Sequence, residues 1–203
     1  AIDGRPRRDV VVGALNALKA VGHRGAVDAD GRTGDGAGIH IQIPQDFFKD
    51  EIKGGKDAPG RIAVGMIFLP RTDLAAQETC RTIVESEVID FGYTIYGWRQ
   101  VPVDVSVIGA KAQATRPEIE QIMIAGPMPD EVDAAEFEKD LYLIRRRIEK
   151  RVMEDHINSF YICSLSSRSI IYKGMFLAEQ LTSFYPDLLD PRFTSSFAIY
   201  HQR

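Results

Sequence analysis

The chain has 203 residues and a mass of 22.6 kDa, 44% of it hydrophobic and 27% charged, with a net charge of −4. That is the composition of a globular protein with one large core or two small ones, and it excludes a disordered or fibrous chain. A pI near 5.6 runs against a domain built to grip a nucleic-acid backbone. No apolar run is long enough to cross a bilayer, and the opening Ala-Ile-Asp-Gly-Arg-Pro-Arg-Arg has no apolar core of a signal peptide. Two cysteines, Cys80 and Cys163, argue for a reducing, cytoplasmic setting rather than a disulfide framework.

The spacing of Val11, Leu15 and Leu18 predicts a helix over residues 7–22, with Gly22 placed as its C-cap. Residues 23–38 read as a Gly/Asp-rich loop, and the alternation Ile-His-Ile-Gln-Ile over 39–43 as a half-buried strand ended by Pro44. A short helix over 45–52 and a polar surface loop over 53–60 follow. Residues 61–69 predict a second strand, and Asp73 caps a helix to about Asp90 with Leu74, Ile83, Val84 and Val88 inward. Strands are expected over 91–101, 103–108 and 117–125.

Residues 133–153 form the clearest helix. Asp133 and Glu136 resemble a capping box, and Phe137, Leu141, Ile144, Ile148 and Val152 make one apolar stripe. Segments 160–165 and 169–172 read as a hairpin around Ser166–Arg168. A short helix over 175–184, a Pro/Asp turn region over 185–192 and a last strand over 196–203 complete the chain. There is no regular βαβ period, so the class is α+β or a layered sandwich rather than a doubly wound parallel sheet.

Candidate chemistry is sparse. Gly34-Asp-Gly-Ala-Gly38 follows a helix and opens a strand, the reverse of a dinucleotide fingerprint, so no helix N-terminus faces a phosphate. It reads either as a turn needing positive φ or as backbone that approaches a ligand closely. The four histidines, His23, His40, His156 and His201, have no metal-ligand spacing, so no metal site is expected. Cys163 lies in an apolar strand and Cys80 mid-helix, both read as inert thiols. Arg145, Arg146, Arg147, Lys150 and Arg151 interleave with Glu138, Glu149 and Glu154 as a solvated helix face. Arg203 at a strand end and Arg24 after the first helix suit bidentate capture of a carboxylate.

Several segments together resemble the N-terminal glutaminase domain of glutamate synthase large subunits. They are Ala14 through Ala26 with His23-Arg-Gly25, Thr33-Gly-Asp-Gly-Ala-Gly-Ile39, Gly97-Trp-Arg-Gln-Val-Pro102, Ser164 through Ala178, Phe184 through Phe193, and His201-Gln-Arg203. The resemblance is weakest over 53–60 and 127–133. It implies a class II, N-terminal-nucleophile amidotransferase folded as a four-layer α/β/β/α sandwich. In such enzymes a cysteine at the mature N-terminus attacks the side-chain amide of L-glutamine, with its own α-amine as base. The amine titrates near about 7.7–8.0 and the thiol near about 8.5, so one activates the other at neutral pH.

The resemblance further implies that Arg203 binds the α-carboxylate of glutamine, that Arg24 lies close to the nucleophile, and that Asp35 and Gly36 border the site. It places the nucleophile strand before Ala1 and the Asn-Gly-Glu oxyanion segment after Arg203. On this view residues 1–203 are an incomplete single domain, inactive alone. FMN, an iron–sulfur cluster, the remaining synthase domains and a small NADPH-oxidising subunit belong to the parent enzyme, and the electron donor is left open. Two alternatives share these residues: a non-catalytic module that binds an amino-acid carboxylate or an interaction partner, and another class II amidotransferase. The long insertion between Gly25 and Asp35 argues against the second.

Overall fold

The computed structural model describes residues 3–51, 60–126 and 133–203. The polar loop expected over 53–60 and the stretch 127–132 therefore fall almost wholly outside the described residues. The helices are α1 (Arg8–Ala20), α2 (Gln45–Glu51), α3 (Leu74–Asp90), α4 (Ala110–Thr115), α5 (Ala134–Glu154) and α6 (Leu181–Phe184). The strands are β1 (Ala37–Gln42), β2 (Ile62–Leu69), β3 (Thr94–Gln100), β4 (Glu118–Ala125), β5 (Tyr161–Ser166), β6 (Ser169–Gly174) and β7 (Ala198–Gln202). Among the described residues helices are mixed with antiparallel strand pairs, so the α+β reading holds.

The chain divides into two compact units. The first comprises Ala1–Pro44, Val101–Arg116 and Ile171–Arg203. Its sheet has the order β6-β1-β7, with β1 and β7 antiparallel and Ala37 opposite Gln202. The alternation expected in β1 is present: Ala37, Ile39 and Ile41 are buried, and Gly38, His40 and Gln42 only partly so. Helix α1 packs on β7 and β1 and buries Val11, Ala14, Leu15 and Leu18. An aromatic cluster of Tyr172, Phe176, Phe184, Tyr185 and Phe193, joined by edge-on and tilted contacts, fills the rest of this core.

The second unit comprises Gln45–Gln100 and Pro117–Ile170. Its sheet runs β3-β4-β2-β5, antiparallel throughout. Helices α3 and α5 join Ala63, Ile67, Ile122, Ile124 and Ile162 in one core, to which α5 contributes its whole predicted stripe. Strand β2 is buried on both faces. Glu87 of α3 is 1% exposed and is held by Arg147 at 2.6 Å and Arg151 at 2.8 Å from α5. A carboxylate so buried must be paired, and two guanidiniums pair it.

Five expectations are corrected. Gly22 is not a left-handed C-cap: Val21 caps α1 at φ −95, and Gly22 opens a 3-10 turn to Arg24. Leu74 is 75% exposed, because it occupies the first helical position, beyond the buried part of α3. Asp133 accepts from Ala135 N–H at 3.3 Å, and Glu136 pairs with Lys139 instead of closing a capping box. Residues 103–108 contain a 3-10 turn over Val105–Val107, because Asp104 accepts from the N–H and hydroxyl of Ser106 at 2.9 and 2.6 Å. Such local side-chain bonds compete with a strand ladder. Finally, β5 and β6 are not a hairpin; they belong to different sheets. The Ser166 hydroxyl accepts from Arg168 and Ser169 N–H, and Glu138 accepts from Ser167 N–H, so side chains take the amides a hairpin turn would use.

Candidate carboxylate-binding site

The site is built in the first unit from three segments. The first is the turn after α1. Val21 N–H returns to Ala17 and Leu18 carbonyls, Gly22–Arg24 tightens to a 3-10 turn, and Gly25 N–H donates to Gly22 O at 3.1 Å. Arg24 thus closes a short 3-10 turn after the helix. Gly25 lies directly beneath the Gln202 carboxamide, and a Cβ there would overlap it.

The second segment is the loop from Asp28 to Gly36. Asp30 organises it: one carboxylate oxygen accepts from Arg32 N–H at 2.9 Å and Thr33 N–H at 2.7 Å, and the other from the Thr33 hydroxyl at 2.6 Å. Those bonds favour the ionised form and hold the carboxyl down to about 2. Asp28 pairs with Lys111 at 2.5 Å, which lowers the one and raises the other. Gly34 has no room for a side chain: a Cβ would stand 2.7–2.9 Å from the Phe176–Leu177 backbone. Gly36 sits at φ +139, a conformation in which other residues are strained. The glycines therefore serve both expected purposes, positive φ and close backbone approach; the near backbone is the chain's own.

The third segment is the end of β7. Because Gln202 lies opposite Ala37, Arg203 falls beside Gly36, and its N–H donates to Gly36 O at 3.0 Å. The Arg203 residue is exposed, and no carboxylate among the described residues forms an ion pair with it. Asp35, also exposed, donates its N–H to Ala26 O at 3.3 Å. The structure thus brings Arg203 to Gly36, and Gln202 to the glycine that follows Arg24.

The other sequence candidates lie elsewhere. Cys80 is fully buried in α3, where desolvation pushes its thiol up to about 11, and Cys163 is buried in β5. Both belong to the second unit. His40 meets Phe197 edge-on at 5.7 Å, and His23 is exposed in the turn after α1. Among the described residues no three His, Cys, Asp or Glu side chains are grouped to hold a metal. The basic cluster of α5 is absorbed by Glu149, Glu87 and Glu154. Gln202 and Gln180, which connect these segments, were not singled out, because nothing in their type or spacing marks them.

In this α+β chain an exposed arginine, Arg203, is thus held by its backbone beside a glycine-bearing loop. The chain belongs to the class-II glutamine amidotransferase family, whose model matches residues 1–203. Over its whole length it is 66% identical to a glutamate synthase [NADPH] large chain of Azospirillum brasilense. It is 40% identical to a chloroplastic ferredoxin-dependent glutamate synthase of Spinacia oleracea and 37% to a glutamate synthase [NADPH] large chain of Bacillus subtilis. The chain spans only 13%, 12% and 13% of those three proteins.

Proposed function

We propose that these residues form part of the glutamine-hydrolysing domain of a glutamate synthase, in which Arg203 holds the α-carboxylate of L-glutamine, Arg24 lies beside the nucleophile, and Asp35 and Gly36 wall the site. The observation that carries this reading is the Arg203 N–H bond to Gly36, which holds the backbone of an exposed arginine beside the glycine loop. In this chemistry the thiolate of an N-terminal cysteine adds to the side-chain amide carbon. The C–N bond breaks, and the proton held by the α-amine leaves with ammonia. Water then hydrolyses the glutamyl thioester to glutamate. Ammonia passes on to meet 2-oxoglutarate, whose reductive amination gives L-glutamate.

Neither Cys80 nor Cys163 fits the nucleophile's role, since both are buried and Cys80 is held neutral. On this reading the chain belongs to a glutaminase domain of the N-terminal-nucleophile type, whose four-layer α/β/β/α sandwich is consistent with a β2 buried on both faces. The iron–sulfur cluster of the parent enzyme does not fit the residues described, and FMN is assigned with it to the parent's other domains. Two buried cysteines on separate elements cannot supply the about four thiolates such a cluster takes. The parent's other domains, a small NADPH-oxidising subunit and a cytoplasmic location complete the proposal; among the described residues no helix is long and apolar enough to cross a membrane.

The test is calorimetric or NMR titration of the 203-residue chain with L-glutamine. Binding is expected without ammonia release, and without labelling of Cys80 or Cys163 by a glutamine-mimicking electrophile. Arg203→Met should abolish binding. Arg203→Lys, which keeps the charge but loses the fork, should weaken it about tenfold, equivalent to about 1.4 kcal/mol. Unchanged binding by Arg203→Met would overturn the assignment.

A further inference from the structure

We infer that Gln180 is a positioning residue for the carboxylate site, acting through the loop that carries Gly36; the inference rests on the glutamine-binding reading above. Both of its amide hydrogens and its carbonyl oxygen are engaged, the hydrogens with segments distant in sequence. Its amide nitrogen donates to Arg32 O of the glycine loop at 3.0 Å and to Val107 O at 2.8 Å. Its carbonyl oxygen accepts from Leu177 N–H at 2.7 Å. The backbone on which Gly34 rests, Phe176–Leu177, is the one that Gln180 caps. Arg32, Gly34 and Gln180 thus close a clasp around one peptide.

Two residues beyond Gly34, the Gly36 carbonyl takes the Arg203 N–H. The path from Gln180 to Arg203 therefore runs through Arg32 O, the Gly34 contact and Gly36 O, within one compact unit. The connected residues are far apart in sequence, 148 positions between Arg32 and Gln180 and 73 between Val107 and Gln180, so no local turn substitutes for the side chain. The bond to Arg32 O is exposed and that to Val107 O part-buried, so losing the side chain removes both ties and leaves the loop free to rearrange.

The experiment compares L-glutamine affinity at a temperature well below the melt for the 203-residue chain and two variants. Gln180→Met keeps the length and loses all three bonds; Gln180→Glu keeps the acceptor for Leu177 and loses both donated bonds. Affinity is expected to fall at least tenfold in both, with amide-exchange protection of Ile39 and Ile41 unchanged and that of Thr33 and Arg203 reduced. The control is Gln77→Met, which removes a comparable pair of bonds to the Pro70 and Arg71 carbonyls in the other unit and should leave affinity unchanged. If Gln180→Met does not fold, Gln180→Glu decides. Wild-type affinity in a folded Gln180 variant, with Arg203→Met still inactive in binding, overturns the positioning role and leaves the carboxylate reading intact. Wild-type affinity in Arg203→Met overturns the carboxylate reading itself, and absence of L-glutamine binding by the wild-type chain overturns both.

Discussion

Two glycines of the candidate site are crowded for different reasons, and alanine at each separates them. At Gly34 a Cβ would stand 2.7 Å from the Phe176 carbonyl carbon and 2.9 Å from Leu177 N. Those are backbone atoms and cannot yield without moving the Gln180 clasp. Overpacking of this kind costs about 1–3 kcal/mol, offset by about 0.4–1 kcal/mol from the stiffer unfolded chain. A net loss of about 1–2 kcal/mol lowers the melting temperature of a chain this size by about 2–8 °C. At Gly25 the clash is with the far end of Gln202, a flexible side chain, and the backbone is extended at φ −85, which alanine adopts freely. Gly25→Ala should therefore melt within about 1 °C of wild type, with Gln202 displaced. In a Gly25→Ala background, Gln202→Ala should cost nothing further, whereas alone it removes the contact. Differential scanning calorimetry of the four chains decides. Equal losses for Gly25→Ala and Gly34→Ala would refute the distinction between yielding and unyielding neighbours, and a neutral Gly34→Ala would refute the close approach.

Helices α3 and α5 end in the same way, with Tyr93 N–H returning to Val88 O and Ile157 N–H to Val152 O, but the left-handed residue is Gly92 at φ +82 in one and His156 at φ +55 in the other. With nothing within 4 Å of a Cβ at Gly92, Gly92→Ala should cost about 1 kcal/mol, and His156→Gly should gain about 0.5–1 kcal/mol, both read from chemical denaturation. Loss of stability in His156→Gly would show that the imidazole contributes more than its backbone conformation costs. Cys80, fully buried with its thiol raised to about 11, should resist a disulfide reagent at pH 8 in the folded chain and react at once in denaturant; reaction without denaturant would contradict the burial. Asp30 has a folded pKa near 2 against an ordinary 3.8, so its contribution to the loop is full above about pH 4 and disappears as pH falls through about 2. The Thr33 amide resonance should titrate with that low midpoint, and Asp30→Asn should abolish the transition; a midpoint near 3.8 would mean the three hydrogen bonds are not made.

Elements whose signal is local were legible in the sequence. The α5 stripe from Phe137 to Val152 is a five-residue pattern at helical spacing, and every member is buried. The alternation of β1 likewise carries its own burial. What failed was decided by partners far away or by single side chains. Nothing in Ser166–Ser169 states that β5 pairs with β2 while β6 joins β1, because strand partners lie elsewhere in the chain. The strand expected over 103–108 had the right residue types, but Asp104 captured Ser106 and turned the backbone. In the candidate site, Arg24 and Arg203 stood out by their places after a helix and at a strand end, Asp35 and Gly36 by the glycine run, and the resemblance gave all four their roles. Gln180 and Gln202 escaped because a glutamine's role is set by which carbonyls or glycines meet it, and those are up to 177 positions distant, as for Gln202 over Gly25.

Arginine count alone could not have selected Arg203, since several guanidiniums are well ordered here. Arg8 donates to the Phe193 and Leu188 carbonyls, Arg81 to Glu120, Arg99 to Glu51 and Gln121, and Arg147 and Arg151 to Glu87. Each of those has its charge committed to the protein, and a ligand carboxylate would have to displace an internal acceptor. Arg32 and Arg168 are exposed, but each lies in a loop or bend outside the strands. At Arg203 the placement is carried by the backbone rather than by the side chain. The backbone N–H is spent on Gly36, at the end of a strand whose register is set by five paired residues of β1, while the residue itself is exposed. A cation fixed at its Cα but not neutralised at its tip loses less freedom on binding than one on a mobile loop, and no salt bridge must be broken first. On the proposed carboxylate-binding reading, the Gly36 carbonyl and the clasp that holds it would determine capture as much as the arginine itself.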